Sequence, residues 1–457
     1  MKYKTSHIPY SATLDRRIVS VVTMHFSEEN YKDKGIIIRM KKRKNIFYGW
    51  FVAFAGFLMI GLSVGLQTNC NVAFLQPMSE ALGYNISEIA LNTSLISLAM
   101  IPCYIIVPKV LRRVSYRRYA FFSGIGFLLF KILFALSTSL WQFYLCSVMM
   151  GIFIPGISFI MVNSLIDGWF NEKKGLALGI AATGAGVSGA IFLPLITKVI
   201  MNYGWRNGYL FQAVLIALLL TVSLLLIRNT PESVGLKPLG ADKKEAQVGI
   251  KQGFTLQQTL KLPTFYILLI GIFLLSAIGL GIQPYLMSSL TAAGYEVIVA
   301  SKIVSAILLV SIVGKIVMGS VFDRFGIKYA GVFIGMFFLF SLLLLCVIEN
   351  HIWIAYSFAL IFGITYVSLS IPVPYIIIDF FGSKEFTAIY GVALMVSSIG
   401  SAFGSILTGL IYDAKGSYQA AWMVYMLMAV ALAVCIQVSY GMVKSAKPVK
   451  KIEIEYE

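Results

Sequence analysis

A chain of 457 residues in which 58% are hydrophobic and only 12% charged, at a mean hydropathy of +0.84, does not have the composition of a soluble domain. Its formal net charge of +17 falls in short segments between long apolar runs, so it is an orientation signal and not a nucleic-acid surface. No GxxxxGK[ST] loop occurs, and the glycines between 184 and 189 lie inside an apolar run, which disfavours ATP-driven pumping and leaves no reason to expect an enzyme.

Residues 1–46 are polar and mixed, without the apolar stretch of about 7 to 15 residues that a signal peptide carries. They are expected to be an unstructured cytoplasmic tail. Met40 precedes KKRKNIFYGW, immediately ahead of the first apolar run, and reads as a natural start; the upstream segment is then either a tail or the product of a misplaced start codon. From residue 47 onward, apolar runs of about 20 residues, each enough to cross a bilayer as a helix, recur about twelve times. Their expected spans are α1 47–74, α2 87–111, α3 119–138, α4 140–166, α5 174–201, α6 207–227, α7 264–290, α8 296–321, α9 329–348, α10 352–378, α11 386–411 and α12 418–442.

Basic residues place the two sides, because Lys and Arg accumulate in cytoplasmic loops. Under an even helix count, Lys41, Lys42, Arg43 and Lys44, then Arg112, Arg113, Arg117 and Arg118, Lys173 and Lys174, Lys243, Lys244 and Lys251, Arg324 and the lysines from 444 to 451 share one side. The opposite loops carry few, such as Lys198, Arg206 and Lys415. Both termini are therefore expected in the cytoplasm. Cys70, Cys103, Cys146, Cys346 and Cys435 all fall in expected helices without metal-ligand spacing, and read as small packing residues. No metal site and no cofactor is expected.

The chain repeats itself. Phe47, Tyr48, Ile60, Gly61 and Leu62 recur 218 residues later as Phe265, Tyr266, Ile278, Gly279 and Leu280. Ile166, Asp167 and Gly179 recur 212 residues later as Ile378, Asp379 and Gly391. Pro108, Arg113 and Ser115 stand 211 residues before Gly319, Arg324 and Gly326. Parallel repeats of this kind are a mark of membrane transporters. The expected organisation is a tail (1–46), a first six-helix bundle (47–228), a cytoplasmic linker with Pro231, Pro238 and ADKKEAQ (229–262), a second six-helix bundle (263–443) and a short tail (444–457).

Lys315 lies in the long apolar run of α8, one turn before GSVFDRFGIK (319–328), which reads as a loop. A Lys at the centre of a membrane helix costs roughly 2.5–3.5 kcal/mol on insertion scales, so it is a functional-site candidate and is expected to meet an anion. The alternative is a side chain that snorkels to the cytoplasmic face. Lys131 in α3 could snorkel outward, and a structural role is the first reading for it, ahead of a functional one. With His7, His25 and His351 outside the expected helix cores, no acid or His stands deep in the bilayer as a proton relay. Asp167 and Asp379, at helix ends, read as capping or locking residues.

GSVFDRFGIK is similar to the G-x-L-x-D-R-x-G-x-K/R signature of the major facilitator superfamily, with Val321 the one departure. The resemblance implies an all-α membrane fold of twelve transmembrane helices in two six-helix pseudo-symmetric bundles. It also implies that Asp323 and Arg324 help to lock the cytoplasmic side, with Gly319 and Gly326 allowing close approach and a tight turn. The first-half copy, PKVLRRVSYRR (108–118), has Pro108, Arg112 and Ser115 where Gly, Asp and Gly would stand.

A narrower resemblance rests on WFNEKKGLALGIAATGAG (169–186), Tyr48, Gly49 and Trp50 in α1, and Gly400, Gly404, Gly409 and Asp413 in α11. These resemble the monocarboxylate carriers and the bacterial oxalate/formate antiporter group, over residues 46–443. In that family a cation four residues before the α8 glycine binds the substrate carboxylate, a position held here by Lys315. Animal monocarboxylate carriers also have an Asp where Ser311 stands and a Lys where Thr68 stands.

Polar and aromatic residues of α1, α7 and α10 complete the expected pocket: Gln67, Thr68, Asn71, Gln283, Tyr285, Tyr366 and Tyr375, each with interhelical bonding as its plainer alternative. The expected function is rocker-switch transport of a small organic anion, a monocarboxylate first, by a monomer in the cell membrane, coupled to protons or a counter-anion. The alternatives are a carrier of another solute, such as a drug or zwitterion, and a sensor that binds without moving its ligand.

Overall fold

The computed structural model describes residues 47–111, 113–241, 253–349, 351–366, 372–382 and 384–446. The expected N-terminal tail, Met40, Arg112, the charged middle of the linker and residues 447–457 lie outside the described residues.

Lipid offers no partner for a backbone N–H or C=O, so a chain this apolar folds as helices that satisfy their own hydrogen bonds. Among the described residues, nine helices are long and apolar enough to cross a membrane. One of them, Lys174–Leu226, has 53 residues. At about 1.5 Å per residue it would measure about 80 Å, far beyond the ~30 Å hydrocarbon core, so it must turn back. It does so at Gly204 (φ 82°, ψ 165°), which separates α5 from α6. Val297–Cys346 breaks in the same way at Gly326 (φ 69°, ψ 175°), giving α8 and α9. Both conformations belong to a region essentially restricted to glycine.

The remaining crossings are α1 Gly49–Ala73, α2 Ile86–Leu111, α3 Tyr116–Leu136, α4 Leu140–Trp169, α7 Pro263–Ala292, α11 Phe386–Lys415 and α12 Gln419–Ala446, with α10 made of Ile352–Tyr366 and Pro372–Phe381. The fold is all-α, with twelve crossings in two six-helix bundles. The structure corrects one local reading. The stretch 319–325 continues α8 as helix, and only Gly326 leaves helical geometry. No other breaker interrupts it, and Phe322, 1% exposed, anchors that turn against the ring of Tyr375 at 5.2 Å.

Helix ends follow local chemistry. The Ser115 hydroxyl accepts from Arg118 N at the start of α3, Ser139 and Gln142 form a capping box at α4, and Gly416 in a left-handed conformation closes α11. Three crossings are irregular in the middle. α1 passes through a π-helical stretch, Gly61–Asn69, and a 3-10 turn, Cys70–Ala73. α4 carries a 3-10 turn at Ile154–Ile157 with Pro155, and α7 one at Gln283–Tyr285 with Pro284.

The repeat seen in the sequence is visible in packing. In the first half, Gly184 of α5 lies so close to the Phe57 carbonyl of α1 that a Cβ would overlap it. In the second, Gly404 of α11 stands against the Ala277 carbonyl of α7 in the same way. The described ends of the linker also pair with equivalent positions: Leu239 bridges Phe170 after α4, and Gly253 bridges Gly382 after α10, 212 residues on.

Candidate functional site

The site begins with α1. A π-helical stretch displaces carbonyls from their usual donors, and here two are taken by side chains from elsewhere. Gln212 of α6 donates to Leu66 O, and Gln283 of α7 donates to Thr68 O at 2.8 Å. The second bond crosses from one half to the other. Asn69 donates to Ala185 O at 3.1 Å and accepts from the Tyr366 hydroxyl at 3.4 Å.

Around this segment lies a cavity of about 230 Å3 between the halves. Its polar lining comes from Ser63, Gln67, Thr68 and Asn71 of α1, Asn92, Thr93, Ser97 and Tyr104 of α2, Ser158 of α4, Tyr209 of α6, Gln283 of α7, Tyr366 of α10, and Ser397, Ser398 and Ser401 of α11. Val64, Ile96, Met100 and Leu280 are among the apolar walls. No Asp, Glu, Lys, Arg or His is among the described lining residues. The wall thus offers amides and hydroxyls, which orient a small polar solute without presenting it with a like or opposite charge.

Two cations stand near the seam. Lys315 does not line the cavity; its ammonium donates to Ala182 O of α5 at 2.8 Å, across the two halves. Helices α5 and α8 approach closely there, since a Cβ on Gly186 would lie 2.9 Å from Leu308 O and 2.8 Å from Ile312. Lys131 departs from its expected outward orientation. It is 0% exposed, its Nζ lies 2.6 Å from Gln67 Oε1, and the Tyr209 ring centroid is 4.4 Å away. The physical reason is that α3 presents this residue to α1 and α6, so no route to water is available along the side chain.

The halves are tied at the end remote from the described basic residues Arg113, Lys174 and Arg324. Thr291 donates to Gln76 Oε1 at 2.7 Å, and Ser87 N, at the start of α2, donates to Asp413 Oδ2 of α11 at 3.3 Å. Ser94 donates to Ala402 O at 3.2 Å nearer the middle. Toward the basic end, Gly179 has nothing within 4 Å of its Cβ position, and neither has Gly391, its counterpart in the repeat.

Of the expected pocket residues, Gln67, Thr68, Asn71, Gln283 and Tyr366 come together on the cavity wall. Tyr285 lies inside the second half, where its hydroxyl donates to Ser405 O at 2.7 Å, and Tyr375 is 36% exposed against Phe322. In the gate motif Gly319 is helical, Arg324 is exposed and Gly326 makes the turn, while the side chain of Asp323 lies outside the described residues. Asp167 pairs with Lys174 of the next helix. Asn92, Tyr209 and the α11 serines are site residues that the sequence reading missed. Ser397, Ser398 and Ser401 form a polar stripe at helical spacing in an apolar run, which is a readable signal.

The profile of the Major Facilitator Superfamily matches residues 50–401 and 292–455. The MFS transporter asaE of Aspergillus flavus is 28% identical over 321 residues, 66% of this chain and 66% of that protein. Monocarboxylate transporter 13 of Rattus norvegicus is 24% identical over 392 residues, 82% of this chain and 85% of the relative. Across the first three curated relatives the chain spans 42% to 66% of their length. The crystal structure of nucleoside transporter NupG superposes with a TM-score of 0.68 at 14% identity, covering 86% of this chain and all of that one, which shows the fold alone.

Proposed function

Because this chain belongs to the Major Facilitator Superfamily, we propose that it carries a small organic anion, a monocarboxylate first, across the cell membrane by alternating access. The observation that carries the reading is the carboxylate-free polar cavity at the seam of the halves, with Lys315 between it and the basic end. An anion entering there meets no described like charge on the wall. The Lys315 ammonium has one described acceptor, a neutral carbonyl, and it is the proposed partner of the carboxylate as the halves rearrange. Thr68, Asn71, Gln283 and Tyr366 orient the rest of the molecule, and Tyr285 supports α7 behind them. The rat relative, a monocarboxylate transporter, points the same way.

In this reading the bundles 47–228 and 263–443 rock about the cavity. The far-end ties through Gln76, Ser87, Thr291 and Asp413 open as the α5–α8 seam at Ala182 and Lys315 tightens, and Asp323 and Arg324 take part in the lock at the basic end. Both termini lie in the cytoplasm and the working unit is a monomer. The reading is tested by uptake of labelled lactate, pyruvate, formate and oxalate into proteoliposomes, with and without a pH gradient or internal anion, comparing wild type with Lys315→Gln. Uptake of one acid that Lys315→Gln loses supports it, and the gradient dependence separates proton symport from exchange. Flux of a drug or zwitterion that ignores the charge at 315, or ligand binding without flux, would replace it.

A further inference from the structure

The buried ammonium of Lys131 has less around it than a buried charge requires. Of its three N–H donors, one reaches an acceptor among the described residues, the neutral Gln67 Oε1 at 2.6 Å. The Tyr209 face at 4.4 Å adds a cation–π contact. No described carboxylate stands within ion-pair distance, and the titratable groups beside it are Cys70 and Tyr209. A small void of about 10 Å3 touches Lys131, Gln67, Asn71, Asn92 and Tyr209. Four of those five also line the 230 Å3 cavity.

Gln67 is therefore the wall between the cavity and the cation. It sits in the π-helical stretch of α1, and its side-chain oxygen occupies the place of an anionic oxygen on the ammonium. We propose that Lys131 is the counter-charge that makes the cavity select anions: a substrate carboxylate oxygen displaces Gln67 Oε1 and takes its place on the Lys131 ammonium. The bound anion supplies the negative charge that the site lacks, while Tyr209 and Asn71, joined by a 3.1 Å hydrogen bond, hold the ammonium toward the cavity. A neutral analogue of the same shape brings no charge and leaves the ammonium as it was, so it is rejected. This rests on the organic-anion reading above and gives that anion its residue within the cavity; Lys315 lies on the approach.

Uptake of lactate and of its neutral amide, lactamide, into proteoliposomes tests the proposal, with wild type, Lys131→Gln, Lys131→Arg and Gln67→Glu compared at matched folding by monodispersity and Tm. Wild type is expected to take up lactate and exclude lactamide. Lys131→Gln should lose at least about tenfold in lactate kcat/KM and admit lactamide, with discrimination largely restored in Lys131→Arg. Should Lys131→Gln fail to fold, Gln67→Glu decides. It places a carboxylate on Lys131 permanently, so it should fold, lose lactate uptake and no longer gain in Tm on adding lactate. Normal lactate KM and intact discrimination in Lys131→Gln, or normal lactate uptake in Gln67→Glu, would overturn the proposal. If wild type moves an acid but Lys131 proves indifferent, the anion reading stands and this assignment falls; if wild type moves none of the four acids, both fall.

Discussion

The side-chain amide of Gln283 on α7 donates to the backbone carbonyl of Thr68 on α1, 2.8 Å away, so the two halves share a hydrogen bond on the wall of the cavity. That carbonyl lies in the π-helical stretch, and the bond both satisfies it and couples the halves where a solute would sit. Removing one such bond within a membrane costs about 0.6–1.5 kcal/mol. Gln283→Ala should therefore shift the balance between conformations by about threefold to tenfold. The readout is the rate at which a Ser401→Cys reporter in the cavity reacts with a membrane-impermeant maleimide from each side. Unchanged rates would show that this contact does not distinguish the states.

Asp413 caps the N-terminus of α2 from the opposite half, where the backbone N–H of Ser87 and the helix dipole favour a negative charge. Loss of a capping carboxylate typically costs about 0.5–2 kcal/mol. Asp413→Ala should loosen the far end and raise labelling of the same Ser401→Cys reporter from that side severalfold, with little change in Tm. Asp413→Asn, which keeps an acceptor, should lie between the two.

Glycine substitutions should sort by environment. Ala at Gly204 or Gly326 forces a side chain into a conformation that costs of order 1–3 kcal/mol, and both turns are at positive φ. Val at Gly184 or Gly404 drives atoms into the carbonyls of Phe57 and Ala277, at a cost of about 1–3 kcal/mol. Gly179→Ala meets nothing within 4 Å and should leave stability unchanged. Thermal unfolding in detergent ranks the five; equal losses at Gly179 and Gly184 would contradict the packing.

Topology follows from the twelve crossings and the basic loops. Glu232→Cys, in the linker, should react with an impermeant thiol reagent only after permeabilisation, and Lys415→Cys, at the C-terminal end of α11, in intact cells. The reverse pattern would invert the orientation proposed here.

Much of the framework is legible in the sequence because its causes are local. Run length fixes the crossings, and the repeated Phe-Tyr, Ile-Gly-Leu and Ile-Asp landmarks mark two halves whose glycine seams, Gly184 on Phe57 and Gly404 on Ala277, prove equivalent. Gln67, Thr68, Asn71, Gln283 and Tyr366 are readable as polar side chains in apolar helices, and all line the cavity. The direction of Lys131 is not readable. Beyond its first turn α3 sets only Ser123 and Lys131 against an apolar background, too sparse a stripe to separate its protein face from its lipid face. The partner of Lys315 is equally silent, because a backbone carbonyl such as Ala182 O leaves no trace in residue type. The continuation of α8 through 319–325 was hidden for a related reason: Gly319 and Gly326 look alike in sequence, and only the second is used as a turn.

The most direct measurement is counterflow. Proteoliposomes loaded with unlabelled lactate, pyruvate, formate or oxalate are diluted into a trace of the same labelled acid, with no pH gradient. A carrier that alternates access to one anion site accumulates label transiently above equilibrium for at least one acid and not for lactamide, which is the expected result. Absence of overshoot for all four acids, from protein that is folded and inserted, would contradict the organic-anion reading.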